Sequence, residues 1–330
     1  MKKTLGLLTG VSALVLAGCA TGDVDVPPAI ADVPPVEEEV VEDVEAAVDE
    51  VMTAVKEMAE PVVMTSAERL QAVLDGQPEE VQARYGARHP GETLALFGIE
   101  PGMTVIEALP GGGWYSKILI EYLGPEGTLM GAQYPDDMWL KIMPDASPER
   151  IERFIQNGAT WAETAEGWDV PGAGTLASYN MTTLGEDEAD MADAALFIRA
   201  LHNMNRADED RSTFTKAIAE TYRILKPGGV VGVVQHRGPE GNSDEWAIGN
   251  AGYLKQSYVV ASFEAAGFVL DQSSEINANP ADMPSEDDMV WRLPPSLATT
   301  EEGTPEQDAF KAIGESDRMT LKFVKPVEKD

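Results

Sequence analysis

The apolar positions of the chain fall into three regimes. Behind Lys2 and Lys3, residues 7–16 are mainly apolar and run into Leu16-Ala17-Gly18-Cys19. A stretch this short, closed by small residues, reads as an export signal rather than a permanent membrane span. Between Val36 and Met58, Val and Met recur at positions 36, 40, 41, 44, 48, 51, 52, 55 and 58, the spacing that lays one stripe along a helix. From Ser66 onward, short apolar runs alternate with amphipathic segments, the pattern of strands and helices taking turns in one α/β domain.

Within that last region, helices are expected over Ala67–Leu74, from the Gly76-Gln77-Pro78 break through Tyr85, and from Arg88-His89-Pro90-Gly91-Glu92-Thr93-Leu94 to near Gly98. Met103–Leu109 is a short apolar run holding one acid, Glu107, and it leads into Pro110-Gly111-Gly112-Gly113 and a helix over Trp114–Leu123. A buried strand that feeds a glycine turn and a helix brings backbone N–H groups and a helix N-terminus up to a ligand. Glycine turns also serve simply to pack a strand against a helix. Further strands are expected over Thr128–Gln133, Leu176–Tyr179, Asp193–Asn203 and Val230–Val234, with a helix over Thr213–Leu225. Phe268–Ile276 and Arg318–Lys325 complete the set, and Trp291–Gly314 between them reads as a long insertion, either a lid over a pocket or a mobile hairpin loop. The fold class expected is therefore a doubly wound, mostly parallel sheet with helices on both faces. Ligands of such sheets sit at the carboxyl ends of the strands.

Charge changes the picture in two ways. The chain of 330 residues carries 24 Lys and Arg against 57 Asp and Glu, a net charge of −33. So acidic a surface argues against nucleic-acid partners, which need a basic footprint. The acids are also unevenly placed: between Asp23 and Val63 thirteen of them face the single Lys56, beside the pairs Pro27-Pro28 and Pro34-Pro35. Repelling charges and stiff prolines make residues 19–65 a tether, partly helical, between the signal at 1–18 and the domain at 66–330. Its Val stripe is either a solvated helix or the docking face for an envelope partner.

The one cysteine, Cys19, excludes intramolecular disulfides and Cys-based zinc sites. Leu16-Ala17-Gly18-Cys19 resembles the lipobox of bacterial lipoproteins, in which the cysteine is lipid-modified and becomes the new N-terminus. Ala20 follows where Asp would mark inner-membrane retention. The resemblance implies a lipid anchor at Cys19, in the outer membrane facing the periplasm, as the sole attachment to a membrane.

Residues 107–113 resemble motif I of class I S-adenosylmethionine-dependent methyltransferases, and Leu225-Lys226-Pro227-Gly228-Gly229 is similar to the turn before their fifth strand. Together with Arg88-His89-Pro90, Trp114-Tyr115, His202-Asn203 and Gln235-His236-Arg237, the pattern is similar to a bacterial group of predicted methyltransferases over roughly Arg84–Pro326. The resemblance implies a Rossmann-like sheet with an antiparallel C-terminal strand, S-adenosylmethionine as cofactor and a small-molecule acceptor. Glu107, Gly111, Gly112 and Gly113 would hold the methionine end of the cofactor, Gln133 the ribose and Asn180 the adenine. Two residues depart from the family: Leu109 stands where a first glycine is usual, and Gln133 where a carboxylate accepts both ribose hydroxyls. Gln133 is either a weaker ribose ligand or a strand-end polar residue.

Methyl transfer to a hydroxyl or protonated amine also needs a base, and histidine suits that role near neutral pH. The chain has three histidines, His89, His202 and His236, all inside these motifs. His202 and His236 with Asn203 are the candidates for catalysis, and His89, Trp114, Tyr115 and Arg237 for the acceptor. Each also has a plain structural role open to it: a helix cap for His89, a strand-end bond for His202, a pair with an acid such as Glu240 for His236, and core packing for Trp114 and Tyr115. No HExxH or paired-histidine spacing occurs, so no metal is expected. Two readings stay open, a methyltransferase and a non-catalytic binding module that keeps the fold to hold a periplasmic metabolite or envelope partner.

Overall fold

The computed structural model describes residues 64–182 and 188–327. The export signal, Cys19 and the tether lie outside these residues.

Four helices lead in: α1 (Ser66–Gly76), α2 (Glu79–Gln82), α3 (Tyr85–Arg88) and α4 (Pro90–Phe97). The first opens on a reciprocal cap, in which Thr65 Oγ1 accepts from the Glu68 N–H at 3.2 Å and the Glu68 carboxylate accepts from the Thr65 N–H at 2.8 Å. Strands and helices then alternate: β1 (Thr104–Ala108), α5 (Trp114–Leu123), β2 (Thr128–Gln133), α6 (Asp136–Ile142), α7 (Pro148–Ala159), α8 (Trp161–Glu166), β3 (Thr175–Asn180) and β4 (Ala192–Ile198). After them come α9 (Leu201–Ala207), α10 (Ser212–Ile224), β5 (Leu225–Gly238), the two-residue β6 (Leu254–Lys255), α11 (Gln256–Ala265), β7 (Val269–Ser274), α12 (Pro305–Ile313) and β8 (Arg318–Val324).

The sheet runs in the order β3-β2-β1-β4-β5-β8-β7, with β6 beside β5. Strands β1 to β5 pair in parallel, and β8 is antiparallel to both β5 and β7. This is the doubly wound sheet with one reversed C-terminal strand that the alternating pattern implied. Its strand order turns back between β1 and β4, the place where such folds leave a crevice.

Both faces are covered. Successive strand side chains point to opposite sides, so Val105, Ala194 and Leu196 join Leu94, Phe97 and Ile118 in one layer. Ile106, Ala195 and Phe197 join Phe214, Ile218 and Phe263 in the other. Each such large side chain, fully buried, stabilises the fold by roughly 1.5–3 kcal/mol before entropy is counted, and together they hold the strand ends in place.

Candidate functional site

Strand β1 ends in a buried acid. Glu107 is 3% exposed, and its Oε2 accepts a hydrogen bond from Ser116 Oγ at 2.6 Å. Burial pushes its carboxyl up to about 7, although the Ser116 bond and the positive charge of Arg199 pull the other way. The chain then reverses at Leu109 with φ of 50°, while its N–H donates to Ala132 O at 2.7 Å. A leucine thus holds the backbone shape that glycine would take there.

The three glycines that follow have different neighbours. A β-carbon on Gly112 would meet nothing within 4 Å, and one on Gly111, at φ of 57°, only the Leu109 carbonyl at 3.9 Å. Both glycines are exposed to a cavity of about 560 Å³. Gly113 is buried, and a β-carbon there would stand 2.3 Å from the Trp168 ring. Open backbone is therefore left at Gly111 and Gly112, and Trp168 covers Gly113.

Strand β4 ends earlier than its sequence suggested. Asp193–Asn203 was expected as one strand, but Arg199 turns into the left-handed region at φ of 59° and its N–H donates to Val234 O at 2.7 Å. From Leu201 the chain is helical, with Leu201 and Met204 buried three residues apart. An apolar run with a helical tail has no periodicity long enough to separate the two states. His202 and Asn203 consequently project from the first turn of a helix.

His202 and His236 meet in the cavity with ring centroids 5.5 Å apart. His202 Nδ1 is 3.4 Å from the Oε1 atom of buried Gln235, whose amide nitrogen donates to Gly252 O at 3.1 Å. His236 Nδ1 lies 2.6 Å from Ser316 Oγ, not beside Glu240, which instead accepts from the Ser257 N–H at 3.0 Å. Among the described residues neither Nε2 has a partner. Burial holds both imidazoles below their ordinary range, His202 down to about 3, so both are neutral at pH 7. A neutral ring with a free nitrogen can accept a hydrogen bond there, and its basicity rises only when a negative charge enters the cavity beside it.

Other expected residues separate into those that share this cavity and those that do not. Trp114 and Tyr115 line it; the Arg88 guanidinium lies 4.5 Å from the Trp114 ring centroid, and the Tyr115 hydroxyl donates to Arg88 O at 3.2 Å. Asn203 lines it too, donating to Tyr134 Oη at 3.4 Å and accepting from Arg206 Nε at 3.0 Å. His89, by contrast, opens α4 in a left-handed conformation and lines a different cavity between α1 and α4. Arg237 is bound to Glu275 at 2.7 Å and Asp317 at 2.8 Å, on the rim of another cavity. Neither residue stands with the histidine pair: the His89 ring lies 3.6 Å from Glu92 in the first turn of α4, and Arg237 is held by its two acids.

Gln133 and Asn180 end β2 and β3 and line a smaller cavity of about 300 Å³. Trp139 lines both cavities and stacks on Phe154 at 4.6 Å. Asn180 Oδ1 is occupied by the Thr182 N–H at 3.0 Å and hydroxyl at 3.1 Å. The Gln133 side chain makes no hydrogen bond to a described residue.

Sequence reasoning missed several walls of the larger cavity: Arg84, Trp139, Arg199, Arg206 and Trp291. Arg199 alone left a signal, as the charged residue directly behind an apolar strand. Trp291 belongs to the expected insertion and reaches the His202 ring at 6.0 Å, so that segment does supply part of the wall. Among the described residues, no group of three His, Cys, Asp or Glu side chains is placed to hold a metal ion, and no helix is long and apolar enough to cross a membrane.

No protein-family model matches the chain. A 66-residue segment is 35% identical to ribosomal RNA small subunit methyltransferase H of Flavobacterium psychrophilum, a match over 20% of this chain and 22% of that protein; the chain thus aligns with about a fifth of that relative's length. Similar solved structures include a SAM-dependent methyltransferase from Aquifex aeolicus, 14% identical with a TM-score of 0.43 over 76% of this chain and 98% of the other. They also include the [4+2]-cyclase SpnF, 16% identical with a TM-score of 0.48 over 81% and 98%. A third is geranyl diphosphate C-methyltransferase from Streptomyces coelicolor A3(2), 14% identical with a TM-score of 0.44 over 77% and 87%.

Proposed function

We propose that the protein transfers a methyl group from S-adenosylmethionine to a small-molecule acceptor. The observation that carries this reading is the open turn at Gly111 and Gly112, set beside buried Glu107 and sharing one cavity with His202 and His236. The residues present suit the cofactor: exposed glycine backbone for its methionine end, Glu107 for its ammonium group, and Gln133 and Asn180 in the adjoining cavity for the nucleoside. When bound, the cofactor supplies an electrophilic methyl on a sulfonium, and the chain supplies position and exclusion of water. His202 or His236 takes the acceptor proton, and Asn203 orients the acceptor.

A second reading has its own support. Gln133 lacks the charge with which a carboxylate grips ribose, and Asn180 has already committed its oxygen to Thr182. Both favour a binding module that holds a metabolite without turnover. Titrating the full chain with S-adenosylmethionine and S-adenosylhomocysteine in a calorimeter separates the two. Heat at micromolar ligand supports the enzyme; no heat up to millimolar ligand overturns it.

The place of action belongs to the same reading: an envelope protein held by lipid at Cys19, facing the periplasm, with no nucleic-acid substrate. Two or more acyl chains, at roughly 0.8 kcal/mol for each buried methylene, anchor a protein stably. Cys19→Ala is expected to move the protein from the membrane to the soluble fraction, and unchanged retention would count against the anchor.

A further inference from the structure

In a chain with a net charge of −33, the cavity beside the glycine turn is lined by four arginines, Arg84, Arg88, Arg199 and Arg206. A fifth, Arg318, lies behind them and bonds Ala87 O at 2.8 Å. One carboxylate serves most of this group: Glu315 pairs with Arg84 and Arg318 and stands 3.4 Å from Arg88. Glu107 is the one acid among the described residues that line the cavity, and burial favours its neutral form.

Arg199 and Arg206 form no ion pair with any carboxylate of the described residues. The Arg199 guanidinium has no hydrogen bond or ion pair to any described residue. Burial and the neighbouring charges of Arg88 and Arg318 lower it to about 9, although Glu315 pulls the other way. Its backbone at φ of 59° occupies a region that side-chain-bearing residues rarely take, and that turn delivers it to the strand end where the sheet crevice opens. Arg206 donates to Asn203 and lies 5.8 Å from the Trp291 ring centroid, with no acid of the described residues in contact. Cations shielded from water and short of counter-charge are stabilised when an anion enters, and the planar guanidinium fork matches a carboxylate or phosphoryl group.

We propose that the methyl acceptor is a small molecule bearing an oxyanion, carboxylate or phosphoryl, which Arg199 and Arg206 hold so that its nucleophile faces the His202–His236 pair. This deepens the methyltransferase reading and rests on it for the word acceptor; the anion site itself does not. Trp114 and Trp291 wall the same cavity, so a flat body beside the oxyanion fits. The bound anion also offsets the repulsion that Arg199 and Arg206 exert on a charging His202, easing proton uptake where it is needed.

The test uses the full chain at fixed ionic strength, with benzoate and inorganic phosphate as probes and benzamide as the uncharged counterpart of benzoate. Either or both anions are expected to raise the melting temperature and to bind at millimolar concentration or better, whereas benzamide does neither; which anion binds more tightly identifies the oxyanion. Arg199→Gln is expected to weaken anion binding at least tenfold, and Arg153→Gln, an exposed arginine on α7, to leave it unchanged. Should Arg199→Gln fold poorly by circular dichroism, Arg206→Gln decides instead. Equal binding of benzamide and benzoate, or anion affinity unchanged in the folded arginine variant, overturns the proposal. So does competition between the probes and S-adenosylmethionine, since the arginines would then hold the cofactor's own carboxylate. Anion binding without any cofactor binding refutes methyl transfer while leaving the oxyanion site in place.

Discussion

His202 and His236, 34 residues apart in sequence, place their rings 5.5 Å apart in one cavity, and neither is charged at neutral pH. Burial is the first cause for both; for His236 the charges of Arg318, Arg199 and Arg88 add to it, and so would any protonation of His202.

That arrangement fixes a dependence of stability on pH. A histidine whose folded pKa is depressed, here from 6.5 to about 3 for His202, contributes stability that is present above pH 6.5 and lost as the pH falls towards 3. From pH 7 to pH 5 the wild type is expected to lose about 2 kcal/mol more than His202→Gln. Urea midpoints at both pH values measure the difference. Equal losses would show that His202 is open to protonation in the folded state.

Glu107 acts in the opposite sense. Its folded pKa is raised to about 7, so its contribution is complete below the ordinary value near 4.5 and disappears as the pH climbs through 7. Glu107→Gln keeps an oxygen for Ser116 Oγ and removes the charge. At pH 8 it is expected to be more stable than wild type by up to about 3 kcal/mol, while its binding of S-adenosylmethionine weakens. A variant less stable at pH 8 would contradict this.

The glycine turn separates packing from ligand contact. Gly113→Ala meets the Trp168 ring at 2.3 Å and takes a left-handed backbone, and it should cost roughly 2–4 kcal/mol. Much of that loss should not add to the cost of Trp168→Ala, because one clash underlies both, as a double-mutant cycle would show. Gly112→Ala has free space around it; thermal unfolding should change little while cofactor affinity falls.

Gln133→Glu restores a carboxylate at the end of β2. If ribose hydroxyls bind there, the charge-assisted bonds should tighten S-adenosylmethionine about tenfold, or ~1.4 kcal/mol. Calorimetry reads this directly, and a variant with unchanged affinity would remove Gln133 from the cofactor site.

How far these features could be read without coordinates varied by element. Trp114–Leu123 and Thr128–Gln133 were found to the residue, since a glycine turn and a Gly-Pro turn mark their ends. The tail of β4 was misread because Ala200 and Leu201 extend an apolar run while belonging to a helix. The chemistry of His202 and His236 marks both in the sequence, and the fold brings them into one cavity. The arginine cluster is not legible: Arg84 and Arg88 come from the lead-in helices, Arg199 from the turn after β4, Arg206 from α9, and Glu315 from the far end of the chain. Only packing brings such residues to one place, so no local pattern marks them.

Leu109 carries a last consequence. Its left-handed turn, φ of 50°, reproduces with a branched side chain the bend that glycine makes without strain, at an intrinsic cost of about 1–2 kcal/mol. The side chain packs against the core layer that contains Ile106 and Met138, and that contact offsets the cost. The shape of this turn is thus written in torsion angles rather than in letters. A search by backbone dihedrals would group this turn with all-glycine versions that a search by residue identity passes over.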